Sequence, residues 1–221
     1  MSGEHEGGSL GARASLSEEV ARAMRTLILN GEVAAGDFLR IDEMASRLGT
    51  SHTPVREALM TLKVEGFVES EPRKGFRVLP LAPEDIDDAF SVLAYLSGEI
   101  NARAAARITA NELADLRQLH ERASDATPAE IPDLNTRFHH AIYATARAPK
   151  IRMMIFFVSR YTPTSHMAEK GWKDATRGDH EALLVALEKH DAAEARRIGI
   201  SHVNLAHAAL IELSDRSSTV A

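Results

Sequence analysis

The chain has 221 residues, of which 44% are hydrophobic, and carries 26 Lys and Arg against 32 Asp and Glu for a net charge of −6. That length supports two cores, and a division into domains of about 65 and 135 residues suits ordinary domain sizes. Cysteine is absent, which excludes a disulfide scaffold and thiolate metal sites. No apolar run approaches the roughly 20 residues of a membrane helix, so the chain reads as cytoplasmic, with no membrane partner.

Residues 1–14 contain Gly7-Gly8-Ser9 and no apolar stretch, and read as a disordered tail rather than a signal peptide. From residue 15 to 80 the pattern is that of a winged helix-turn-helix. Val20, Met24, Leu27 and Ile28 form a helical stripe that ends at Asn30-Gly31 and is followed by the turn Ala35-Gly36-Asp37. A short second helix, with Asp42 as its predicted cap, turns Met44, Ala45 and Leu48 inward. Gly49 suits a left-handed helix end, Ser51 and Thr53 suit capping, and Pro54 fits the first turn of a helix running to Glu65. Val55, Leu59 and Leu62 face inward in that helix, while its small, polar start lets backbone N–H groups approach phosphate and Arg56 reach outward. Phe67-Val68-Glu69 and Gly75-Phe76-Arg77-Val78 read as strands around Glu71-Pro72-Arg73-Lys74, a wing whose tip presents two cations.

This arrangement implies double-stranded DNA as partner, contacted by Arg47, Ser51, His52, Thr53, Pro54, Arg56, Arg73 and Lys74. Residues 15–80 hold nine Lys and Arg against ten Asp and Glu, so affinity has to come from clustering on one face, to which Arg77 adds. A homodimer on two half-sites of a near-palindromic operator compensates for a weak monomer.

Pro80-Leu81-Ala82-Pro83 marks the boundary to a second domain over 84–215. Helices are predicted from Glu84 to Arg107, with Ile86, Phe90, Leu93, Leu96 and Ile100 inside, and from Glu112 to Ala123 behind a Thr109 cap. Others follow over Pro132 to Ala146, Ile151 to Tyr161, Thr176 to Lys189 and Ala192 to Ser214. No strand pattern competes, so the fold class is mainly α: the winged domain followed by an all-α bundle. Asn135 and His139 share a helix face, and His180 and His202 stand on later helices joined by the turn His190-Asp191. Imidazoles pointing into a bundle need partners. Either carbonyls and water hydrogen-bond them, or a divalent ion takes all three.

Residues from about Val20 to Leu81 resemble the DNA-binding domain of the GntR family of bacterial repressors. The pieces that carry the resemblance are Leu29-Asn30-Gly31-Glu32, Leu48-Gly49, Thr53-Pro54-Val55-Arg56-Glu57-Ala58-Leu59, Glu65-Gly66-Phe67-Val68 and Gly75-Phe76-Arg77-Val78. His52 stands where the family usually has an arginine, offering a base one hydrogen bond and a pH-dependent charge instead of a bidentate fork. From Glu84 to His207 the chain resembles the FCD ligand-binding domain of the FadR subfamily, through Leu134-Asn135-Thr136-Arg137-Phe138-His139 and Asp179-His180-Glu181-Ala182-Leu183-Leu184.

The resemblance implies a divalent ion (Zn, Ni or Mn) on Asn135, His139, His180 and His202, beneath a cavity for a small carboxylate effector. Asn135 lacks the charge many relatives supply there, and Leu93 and Ser97 stand where relatives tend to carry Arg and Glu. Arg103, Arg137 and Arg160 are therefore the expected effector-gripping cations. The implied function is a metabolite-responsive repressor, not an enzyme, whose effector acts through the Pro80 to Pro83 connector. The rivals are a regulator that senses the metal itself, a hydrolase in which the three histidines activate water, and a bundle that only dimerises.

Overall fold

A computed structural model of the chain describes residues 15–127, 129–162 and 170–220, in two compact units that meet between Leu81 and Ala82. The tail expected over 1–14 lies outside the described residues.

In the first unit α1 (Leu16–Leu29) begins where the Ser15 hydroxyl accepts the Glu18 N–H at 3.3 Å. It buries Val20, Met24 and Ile28 and stops at Asn30, where Gly31 turns the chain at φ 73°. Helix α2 (Ile41–Leu48) starts behind an extended Arg40 that makes no side-chain cap, so Asp42 is not the cap that its residue type suggested. Asp42 lies in the first turn, where its charge favours the helix N-terminus. Gly49 ends α2 in the left-handed conformation, φ 62° and ψ 37°, as its lack of a Cβ permits.

Helix α3 (His52–Val64) follows, burying Val55, Ala58, Leu59 and Leu62. Ser51 occupies its cap position, but the hydroxyl takes no helix N–H. Strands β1 (Phe38–Leu39), β2 (Val68–Glu71) and β3 (Gly75–Val78) form an antiparallel sheet in the order β1-β3-β2, with Phe38 opposite Arg77 and Glu69 opposite Arg77 from the other side. Two residues are too few to show an alternating pattern, which is why β1 escaped the sequence reading.

Between α1 and the end of α3 lies a buried ion pair. The Arg25 guanidinium donates to both Glu65 carboxylate oxygens at 2.8–3.0 Å, with side chains 8% and 1% exposed. Such a fork satisfies the carboxylate in two directions at once.

Among the described residues the regular structure of the second unit is helical throughout. Helix α4 (Pro83–Ala105) starts with proline in its first turn, and the Asp85 carboxylate accepts the Ala82 N–H at 2.8 Å. Helix α5 (Ala110–Ser124) opens on a reciprocal box, Glu112 N–H to Thr109 Oγ1 at 3.3 Å and Thr109 N–H to Glu112 Oε2 at 2.9 Å. Then come α6 (Ile131–Thr145), α7 (Pro149–Val158) with a 3-10 turn at Ser159–Tyr161, α8 (Lys170–Glu188) and α9 (Ala192–Val220). His190 bends the chain at φ 53° between α8 and α9, and Asp191 Oδ1 accepts the Glu194 N–H at 3.0 Å to start α9.

The core is Ile100, Leu116, Phe138, Ile142, Ile155, Leu184 and Leu187 with their neighbours. Helices α4 and α9 touch through glycines. A Cβ on Gly199 would lie 2.6 Å from Asn101 Nδ2 and 2.9 Å from the Ser97 carbonyl, and one on Gly98 would lie 2.8 Å from Ile200 Cγ1. This close approach brings His202, one turn further along α9, into the wall of the bundle cavity.

Candidate metal centre and nucleic-acid interface

His139 on α6, His180 on α8 and His202 on α9 converge, each offering a ring nitrogen within 4.8 Å of the others. Their ring centroids stand 5.0, 5.1 and 5.2 Å apart. Asn135, one turn before His139, is 9% exposed, and its Oδ1 is buried without a hydrogen-bond partner among the described residues. Nε2 of His180, a residue 5% exposed, is likewise unpartnered. Buried polar atoms ordinarily find partners, because leaving one unpaired costs about 1–3 kcal/mol.

His202 is braced from behind, its Nδ1 lying 3.1 Å from Asp179 Oδ2. A carboxylate only accepts, so in this contact Nδ1 donates, and Nε2 is the ring nitrogen left to face a ligand. The ring of His180 stacks on Phe138 with centroids 4.1 Å apart, which fixes its plane. Burial, then the neighbouring imidazoles, push His139 down to about 3 and hold His180 well below its usual value, so both stay neutral with free lone pairs. Burial also raises the Tyr143 hydroxyl to about 12, keeping it a hydrogen-bond donor. Neutral imidazoles, an amide oxygen and a carboxylate-braced third histidine are a donor set that fits a divalent transition metal.

These residues form part of the wall of a cavity of about 260 Å³. Phe90, Leu93, Ile155, Leu183 and Val203 supply its apolar surface, and Ser97, Asn101, Tyr143, Ser159 and Thr162 its hydroxyls and amide.

In the first unit the start of α3 is exposed at Ser51, His52, Thr53 and Arg56. Several nearby cations already have carboxylate partners: Arg47 is 2.8 Å from Glu32, Lys74 is 3.1 Å from Glu71, and Arg77 reaches Glu69 and Glu71. His52 Nε2 lies 3.3 Å from Asp42. Arg56 and Arg73 are exposed and form no ion pair among the described residues.

Residues 16–78 match the family described as bacterial regulatory proteins, gntR family, and residues 88–205 match the FCD domain. The chain belongs to the GntR family. It is 31% identical to a transcriptional regulator of Agrobacterium vitis from the TAR-I ttuE-ttuC' intergenic region, over 62% of this chain and 82% of that one. It is 27% identical to the Uxu operon transcriptional regulator of Escherichia coli K12, over 90% of this chain and 88% of that one. Among solved structures, E. coli McbR/YncC shares the fold at a TM-score of 0.70 and 23% identity, covering 91% of this chain and all of that one. This GntR protein is therefore a DNA-binding transcription regulator with an FCD domain, in a family of regulators rather than enzymes.

Of the residues expected at the second-unit site, Asn135, His139, His180 and His202 come together, and Leu93 and Ser97 line the cavity. The arginines do not. Arg103 is exposed, Arg137 is exposed and 3.8 Å from Asp133, and Arg160 lines a separate groove with Arg152, Met153 and Phe157. None of the three is among the residues that line the cavity. In the first unit Pro54 is buried in α3, so it serves the helix rather than the surface. Sequence reasoning missed Asn101, a polar residue only 3% exposed in the cavity wall. Its position four residues after Ser97 on the inward side of α4 was the available signal.

Proposed function

We propose that this GntR protein is a homodimeric cytoplasmic repressor that binds a near-palindromic operator and is released by a small organic acid bound beside a divalent metal. The observation that carries the reading is the convergence of two unpartnered buried atoms, Asn135 Oδ1 and His180 Nε2, with His139 and His202 in the wall of one cavity. Asn135, His139, His180 and His202 would hold the ion, of which Zn, Ni and Mn suit this nitrogen and oxygen set. When bound, the ion supplies the positive charge that an effector carboxylate needs. The residues do the rest: Asp179 orients His202, Phe138 fixes His180, and the hydroxyls and apolar side chains of the wall select the body of the ligand.

On DNA, Arg56 and Arg73 are the cations most ready to take phosphate or a base edge. Arg47 and Lys74 exchange Glu32 and Glu71 for phosphate, and the uncapped first turn of α3 at Ser51 offers N–H groups to the backbone. Helix α4 carries Phe90, Leu93, Ser97 and Asn101 into the cavity wall and begins at Pro83, immediately after the connector. A ligand that favours one position of α4 is therefore felt along the chain by the DNA-binding unit, provided it binds the two states with different affinity.

The test is fluorescence anisotropy on duplex DNA selected by the protein itself, comparing chelated and metal-restored protein with lactate, gluconate or succinate present. The metal-restored protein should lose affinity about 5- to 150-fold with at least one acid, and His139→Ala should not respond. An acid response that ignores the metal contradicts the reading. A response to metal alone makes the ion itself the signal.

A further inference from the structure

Helix α3 turns one side to the core and the other outward. Val55, Ala58, Leu59 and Leu62 are buried, so His52 and Arg56, four residues apart, share the exposed side. The N-terminal residues of the second helix in a helix-turn-helix are the ones that reach base edges in a major groove. His52 is the first residue of α3, and its side chain is 66% exposed. Its Nε2 lies 3.3 Å from Oδ1 of Asp42, in the first turn of α2.

That contact decides what the ring offers a base. Carboxylate oxygens accept and do not donate, so Nε2 donates to Asp42, and in the neutral ring Nδ1 is left as an acceptor. The Asp42 carboxylate, 86% exposed, adds acceptor oxygens beside the ring. In the major groove guanine presents the acceptors N7 and O6, whereas adenine N6 and cytosine N4 are amine donors. A pair of acceptors therefore suits an amine edge and is mismatched to guanine. Arg56 has the opposite character: it is exposed, forms no ion pair among the described residues, and its fork suits guanine. Four residues of helix rise about 6 Å, close to two base steps of about 3.4 Å.

We infer that His52, positioned by Asp42, reads the exocyclic amine of an adenine or cytosine about two base steps from a guanine taken by Arg56. The inference rests on the operator reading above and names the base chemistry of two positions in each half-site. His52 sets specificity by touching the base. Asp42 acts through it, by keeping the imidazole an acceptor on the side away from the carboxylate.

The test uses the full chain and duplexes that wild type and variants each select from random DNA at pH 8, above the ordinary titration range of an imidazole. His52→Ala should relax the base preference at one position. There, replacing adenine by purine, or cytosine by 2-pyrimidinone, deletes only the amine and should weaken wild-type binding about 3- to 10-fold. The same replacement should leave His52→Ala unaffected. His52→Arg should instead select guanine at that position, by about tenfold or more. Asp42→Ala should lose the discrimination between the amine-bearing base and its analogue while keeping its affinity for unrelated DNA. Wild type and His52→Ala should share one salt dependence, because a base contact releases no counterion. Indifference of the wild type to amine deletion overturns the assignment, as does sensitivity at that position to 7-deazaguanine, which lacks the N7 acceptor. A salt slope lower by about one in His52→Ala also overturns it, by making His52 a phosphate contact. A wild type that selects no sequence overturns the operator reading and this inference with it.

Discussion

Each unit of this protein buries a polar cluster, and the two clusters differ in what their atoms still need. In the DNA-binding unit the Arg25 fork meets the Glu65 carboxylate with three hydrogen bonds, and the pair is closed. In the FCD unit Asn135 Oδ1 and His180 Nε2 are buried with nothing to bond among the described residues, beside two more imidazoles and a cavity. Burial alone therefore does not mark function. A satisfied cluster stabilises the fold and asks for no ligand, whereas an unsatisfied one forfeits stability that a ligand can return.

Substitutions should break this contrast in opposite directions. Glu65→Ala strands a buried guanidinium and should cost about 3–5 kcal/mol, read as a large drop in the midpoint of thermal unfolding. In the FCD unit Asp179→Asn removes the carboxylate behind His202 and should weaken metal binding about 10- to 100-fold by titration, with little effect on the metal-free melting temperature. Arg56→Ala should cost about 1–3 kcal/mol of operator binding. Arg47→Ala should cost less, because Glu32 already holds that cation.

Thr109→Ala breaks the box at the start of α5 and should cost about 1 kcal/mol. Its acid dependence is fixed in sign: hydrogen bonds from the Thr109 N–H and hydroxyl hold the Glu112 carboxyl below its ordinary range. The share that comes from the Thr109 hydroxyl bonding this carboxylate is complete above that range and lost as pH falls through the lowered value, so the gap between wild type and variant should narrow in acid without closing, because the bond from the Glu112 N–H to Thr109 Oγ1 does not titrate. Asn135→Leu keeps the shape of the side chain and removes an unpaired oxygen, so the metal-free protein should melt no lower and gain up to about 1 kcal/mol, while losing its metal.

The sequence made one cluster legible and hid the other for physical reasons. Asn135 and His139 fall four apart on a helix, and His180 and His202 sit on helices joined by a short turn, so local periodicity brought them within reach. Arg25 and Glu65 are 40 residues apart, each on a helix whose other charges are solvated, and nothing local distinguishes them. The α4 segment misled for a related reason. Its buried side includes Ala94, Ser97, Gly98, Asn101 and Ala105 beside Phe90 and Ile100, and these small residues carry no apolar signal to show that Arg103, three residues after Ile100, lies outside that side. Short elements also escaped, as β1 did. The first turn of α8 is at Lys170 rather than near Thr176, since the residues between carry no apolar period.

If the open cluster of the FCD unit is a metal site, the ions it holds can be counted. Mass-spectrometric metal analysis of the folded protein, before and after a chelator, should find about one divalent ion per chain. Chelation and His139→Ala should each remove it. A folded protein that holds no ion after incubation with Zn, Ni or Mn would contradict the claim and reduce those histidines to cavity lining.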